Sequence, residues 1–105
     1  MKRTVSLGRT PLFTAEKDVT VSVLTLALPA DPLGIMNSWL DKIEIRLYRN
    51  SYTDEALLQK PFMLGRRHSV SVLLNLQLSP GETILGSGSV ETTVIVEVET
   101  KEAPG

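Results

Sequence analysis

Residues 69–99 constrain the fold more than any other stretch. They read S-V-S-V-L-L-N-L-Q-L, then S-P-G-E-T-I-L, then G-S-G-S, then V-E-T-T-V-I-V-E-V-E. Val70, Val72, Leu74, Leu76 and Leu78 are apolar with mostly polar residues between them, and Val90, Thr92, Val94, Val96 and Val98 repeat the pattern. Side chains two apart on a strand share a face, so this spacing predicts half-buried β-strands. Ser79-Pro80-Gly81-Glu82 matches a type II turn, with Pro setting φ at the second position and Gly supplying a positive φ at the third. Gly86-Ser87-Gly88-Ser89 is expected to close a hairpin into the last strand. The stretch as a whole then reads as a meander.

The rest of the chain also reads as β-structure. Residues 1–10 alternate weakly through Val5 and Leu7 and are expected to be an N-terminal arm or edge strand. Leu12-Phe13-Thr14 is a short apolar entry. In 19–28 the apolar phase changes, from Val19, Val21 and Val23 to Leu24, Leu26 and Leu28. A one-residue slip turns every side chain to the opposite face. Either a β-bulge near Val23 and Leu24 restores the facing, or both faces are covered and one of them packs on another chain. On the second alternative Leu24, Leu26 and Leu28 belong to a subunit interface.

Residues 29–41 hold Pro29, Pro32 and Gly34, which predict a loop, together with Leu33, Ile35, Met36, Trp39 and Leu40. So apolar a loop either folds over an open end of the sandwich or brings Trp39 to an interface, where Trp is enriched. Ile43, Ile45 and Leu47 alternate with Glu44 and Arg46 in a strand with one wet face. Residues 53–60 allow one short helical turn, with Asp54 and Glu55 early, or a strand through Leu57 and Leu58. The strand is the preferred reading. Arg66-Arg67-His68 is a basic turn, whose arginines can meet acidic residues of a neighbour in an assembly.

The fold class that results is all-β: an antiparallel β-sandwich, jelly-roll-like, with a short helical turn near 53–60 as an option. The expected organisation is one sandwich domain over 11–100 and a disordered tail over 101–105, since 105 residues ordinarily make one core. A core of that size is thin, and apolar surface beyond one face suggests help from a partner.

Composition narrows function mainly by exclusion. The chain has 11 Lys+Arg against 12 Asp+Glu, without the basic surplus of a protein that neutralises phosphates, so no nucleic-acid partner is expected. It has no cysteine and one histidine, too few of the usual ligands for zinc, and no cofactor or metal is expected. No segment approaches the ~20 apolar residues that span a bilayer. The N-terminal residues lack the apolar run of a signal peptide, so synthesis in a cytoplasm and no membrane partner are expected. His68 would have to serve any Ser-His-Asp triad, and the serines have no nucleophile-elbow setting. Glu91, Glu97 and Glu99 fall on the solvent-facing phase of the last strand, as in a solvated row. Gly86-Ser87-Gly88 leads into a strand, whereas phosphate loops lead into a helix. The expectation is a protein that is not an enzyme.

From Pro11 to Glu99 the order of features resembles small β-sandwich structural proteins of tailed-bacteriophage virions. The resemblance is carried by the Leu12-Phe13-Thr14 step, the alternating strand 19–28, the strand from Ile43 to Arg49, and the leucine-bearing segment with a Gly turn at 57–65. Its most specific piece is Leu78-Ser79-Pro80-Gly81-Glu82-Thr83-Ile84, followed by the small-residue segment and the Val-rich close up to Glu99. Ala15-Glu16-Lys17-Asp18 stands where such proteins have Pro-Ala-Gly, and the Pro-rich loop from Pro29 replaces an Asn-ended strand. The resemblance implies a non-catalytic virion protein that decorates or cements a capsid or tail, commonly as a homotrimer. Its partners would be copies of itself and the major capsid or tail protein. The candidate interface is Leu24, Leu26, Leu28, Trp39, Arg66 and Arg67. The alternative is a small β-sandwich binding module for glycans, with Trp39 and a tyrosine as a stacking platform.

Overall fold

The fold is described from a computed structural model, and the described residues are 2–28, 42–65, 68–89 and 92–102. Eight strands run in the order β1 (Lys2–Ser6), β2 (Phe13–Thr14), β3 (Val19–Ala27), β4 (Lys42–Arg49), β5 (Phe62–Gly65), β6 (Ser69–Leu78), β7 (Thr83–Gly88) and β8 (Thr93–Glu102). They form two four-stranded antiparallel sheets, β1-β8-β3-β6 and β2-β7-β4-β5. The pairs β1–β8, β2–β7, β3–β6 and β4–β5 are those of one long hairpin with its tip between β4 and β5. Wrapping that hairpin adds the pairs β3–β8 and β4–β7 and closes a double-sheet jelly roll.

This topology corrects the meander reading of 69–99. β6, β7 and β8 alternate between the sheets, and none pairs with the next. Gly86, Ser87 and Gly88 lie inside β7 and close no hairpin. Gly86 is needed there for space: a Cβ would come within 2.8 Å of Leu12 Cδ1 and 3.2 Å of Leu7 Cδ2. Alternation is a property of each strand taken singly, so it identified the strands without giving their partners.

The core lies between the sheets. Leu24, Leu26, Val94 and Val96 of one sheet and Ile45, Leu47, Leu64 and Ile84 of the other are at most 1% exposed. Each such side chain contributes about 2 kcal/mol through burial. Leu7 and Leu12, from the segment between β1 and β2, join the same cluster. On β6 the even-numbered residues face inward as the alternation requires, with Val72 and Leu78 buried and Val70, Leu74 and Leu76 packed at the rim. The rim position follows from β6 being an edge strand.

The phase change in β3 is a bulge. From Val21 to Val23 the strand advances two residues while β8 advances one, from Thr100 to Glu99, and β6 advances three, from Leu76 to Leu73. Ser22 is the residue gained over β8. It is 9% exposed, and its Oγ donates to Glu99 O at 3.0 Å. The inward row of β3 thus moves from Val19 and Val21 to Leu24 and Leu26 while its neighbours keep theirs. On β6 the extra residue brings Asn75 to φ +47°.

Three boundary expectations change. Residues 2–6 are an edge strand on β8, which settles the arm-or-strand alternative for the described part of 1–10. β8 runs through Glu102, so Lys101 and Glu102 belong to the sheet and not to a disordered tail. In 53–60 a 3-10 turn at Asp54–Ala56 is followed by a single bridge between Leu57 and Tyr48. The segment carries a helical turn and only one bridge of the strand that was preferred. The four-residue β5, too short to show alternation, was unread as a strand.

Candidate functional site

The sandwich has two flanks, each made by one edge strand from each sheet. On the first, β1 lies beside β2: the Arg3 guanidinium donates to Pro11 O at 3.0 Å and to Leu12 O at 2.6 Å. Charge is frequent there, with Lys2 and Arg3 on β1 and Glu16-Lys17-Asp18 after β2. A groove of about 550 Å³ opens on this flank among Arg3, Leu12, Phe13, Lys17, Val96 and Val98.

The second flank is made by β5 and β6, which touch each other. Its composition is different. β5 reads Phe62-Met63-Leu64-Gly65 and β6 reads Ser69-Val70-Ser71-Val72-Leu73-Leu74-Asn75-Leu76-Gln77-Leu78, with no Asp, Glu, Lys or Arg in either. The only charges between Pro61 and Pro80 are Arg66 and Arg67, in the link between the strands. Among the described residues the exposed large hydrophobics are Tyr52, Met63 and Leu73, and two of these three sit on this flank. Leu73 is 80% exposed and Met63 is 50% exposed. A long edge strand offers a row of backbone donors and acceptors, and natural edges usually carry a charge or a proline against unwanted pairing. β6 carries neither over its ten residues.

The end of β6 is held by a polar cluster around the Ser79–Glu82 turn. Glu82 N donates to Ser79 O at 3.0 Å and Gly81 has φ +90°, which makes it the type II turn expected from Pro80 and Gly81. The Glu82 carboxylate folds back on its own turn and accepts from Ser79 N at 2.8 Å. It also accepts from Arg49 Nη2 at 3.0 Å and from Asn50 Nδ2 at 3.0 Å. Asn50 Oδ1 in turn accepts from Thr83 N at 2.8 Å. The Ser79 backbone bond first, then those from Arg49 and Asn50, hold the Glu82 carboxyl well below the usual carboxylate range, at about 2. Ala15 completes the junction: its O accepts from Gly81 N at 2.8 Å and its N donates to Glu82 O at 2.9 Å. The β6–β7 crossover is thereby tied to the end of β4 and to the segment after β2. That arrangement locks the strand end and leaves no free acid for proton transfer.

On the outer face of the β4–β7 sheet a shallow polar hollow of about 310 Å³ is lined by Glu44, Arg46, Tyr48, Ser87, Gly88 and Ser89. Glu44 pairs with Arg46 at 3.1 Å. Tyr48 is only 6% exposed, because the ring of Tyr52 lies edge-on to it at 5.5 Å and Leu57 bridges to it. Among the described residues no group of three or more His, Cys, Asp and Glu side chains is placed to hold a metal ion. No helix there is long and apolar enough to cross a membrane.

Of the expected interface residues, only Leu24, Leu26 and Leu28 fall among the described residues. Leu24 and Leu26 are fully buried in the chain's own core, so the bulge alternative accounts for them and they are withdrawn from the interface. Leu28 packs partly buried against the same core. Trp39, Arg66 and Arg67 lie outside the described residues. Leu73 and Met63 were missed. The signal that could have found them is the lack of charge over 61–65 and 69–78, which alternation arguments pass over.

The fold and this flank define the class: among the described residues, an eight-stranded antiparallel jelly roll in which one pair of edge strands, β5 and β6, carries no charged residue. No protein-family model, curated protein or solved structure matches the chain.

Proposed function

We propose that the chain is a non-catalytic structural subunit that decorates or cements a phage capsid or tail as a homo-oligomer. The observation that carries the reading is β6, a long edge strand without charge that exposes Leu73. Such a surface is a hazard on a free monomer and an asset on a subunit that meets neighbours. Double-sheet jelly rolls occur in viral capsid proteins, lectins and cupins, so the fold supports the reading without selecting it. The motif order that ends in Leu78-Ser79-Pro80-Gly81-Glu82-Thr83-Ile84 is what selects a virion setting. The partners are further copies of the chain and the major capsid or tail protein, and the resemblance implies three copies.

The glycan-binding alternative rests on Trp39, which lies outside the described residues, and on a tyrosine, for which Tyr52 is 45% exposed and Tyr48 is 6% exposed. Light scattering and co-sedimentation with phage capsids and tails test the proposal. The expected result is an oligomer that sediments with one of these particles. A monomer that ignores both would overturn it.

A further inference from the structure

We infer that the β6 edge is a self-association surface, on which β6 of one copy pairs antiparallel with β6 of a second about a two-fold axis at Ser71. The inference rests on the assembly reading above and adds the partner and symmetry of one contact, a two-fold that makes a dimer in place of the three copies the resemblance implies. Four observations carry it.

The first is the open ladder. Among the described residues β6 is the last strand of its sheet, bonded to β3 on one side. From Ser69 to Leu73 it runs in unbroken register against Ala27 to Val23, and the irregularity begins only after Leu73. A straight segment of five residues is therefore available as a template, and the bulge that follows limits pairing to it.

The second is self-complementarity. Directly opposed residues of an antiparallel pair share a face, so a two-fold on any residue k pairs k−n with k+n and keeps inward with inward. With the axis on Ser71, Val70 meets Val72 on the inner face. On the outer face Ser69 meets Leu73, and Ser71 meets its own copy. The exposed leucine thus lies across from a small serine, which leaves it room. An axis at Leu73 would instead carry both bulges into the new ladder.

The third is charge. A parallel pairing would bring the Arg66-Arg67 links of both copies together, whereas an antiparallel one sends them to opposite ends of the contact. The fourth is the contrast between flanks. The opposite edge of the sheet, β1, carries Arg3, whose guanidinium is tied to Pro11 O and Leu12 O, while β6 carries no charged residue. The contact is isologous, the same patch serving both copies. A single strand pair with flanking apolar residues lies at the small end of specific interfaces, so the dimer is expected to be of about micromolar affinity.

Sedimentation equilibrium of the full chain tests the inference, alongside a Ser69→Lys/Leu73→Lys variant. In the proposed register each introduced lysine stands opposite a lysine of the second copy. Ser69 and Leu73 are exposed, so the monomer should keep its fold, which circular dichroism and thermal melting check. The expected result is a concentration-dependent dimer whose dissociation constant rises at least about tenfold in the variant. The chain has no cysteine, which makes single-cysteine cross-linking clean. Opposed Cα atoms of an antiparallel pair lie about 4.5–5.5 Å apart, within disulfide range. Ser71→Cys should link to its own copy under mild oxidation, whereas Gln77→Cys should not. A chain that stays monomeric at millimolar concentration overturns the inference. So does a trimer indifferent to the two lysines, although capsid binding by that trimer would leave the structural-subunit reading standing.

Discussion

At the scale of single residues, Glu82 shows how a short motif becomes a junction. Its carboxylate takes bonds from Ser79 N, Arg49 and Asn50, and together they join β6, β7 and β4 at one corner. The acid of the Pro80-Gly81-Glu82 turn was visible in the sequence, but its partners Arg49 and Asn50, more than thirty residues earlier, were not. Local patterns carry turn chemistry, whereas partners across the fold depend on topology. The depressed carboxyl sets a pH dependence. Its folded value of about 2 lies below the usual 4.5, so its contribution is present in full above the ordinary range. It is lost as pH falls toward the folded value. Glu82→Gln should therefore lower the urea midpoint at neutral pH, and the gap between variant and parent should close progressively below about pH 4. A gap that stays constant down to pH 2 would show that the carboxylate charge is not what holds the corner.

At the scale of elements, β3 and β6 divide the work of core and edge. The phase change in β3 left two alternatives open, and the bulge at Ser22 decides between them by returning Leu24 and Leu26 to the core. Leu24→Ala should thus cost about 3 kcal/mol in chemical denaturation, as a core truncation does. Leu73→Ser, at an 80% exposed position, should change stability by less than about 0.5 kcal/mol. The reverse ranking would mean that the inward and outward faces of this sheet have been exchanged. Strand existence was legible throughout β3, β4, β6 and β8, because each is long enough for its alternation to stand out. β2 and β5 were not, with two and four residues apiece. Pairing was less legible still. The Gly86-Ser87-Gly88-Ser89 segment has the composition of a hairpin, yet here small size serves the close approach of Leu7 and Leu12 to β7.

At the scale of the whole molecule, the jelly roll distributes charge unevenly between its two flanks. One flank carries Arg3, Glu16, Lys17 and Asp18, whereas the strands of the other, β5 and β6, contain no Asp, Glu, Lys or Arg. The sequence contained that asymmetry, but it becomes a surface only once β5 and β6 are known to be edges and neighbours. A chain of 105 residues has little stability to spare, and pairing at an exposed edge adds to it by mass action. On a particle surface, where copies are held close together, a contact of about micromolar strength would be enough to link them. The most direct measurement of the structural-subunit claim is quantitative mass spectrometry of purified phage particles. The account predicts the chain at many copies per particle, in fixed ratio to the capsid or tail protein that carries it. Its absence from particles, with the chain recovered only from the soluble lysate, would contradict the account.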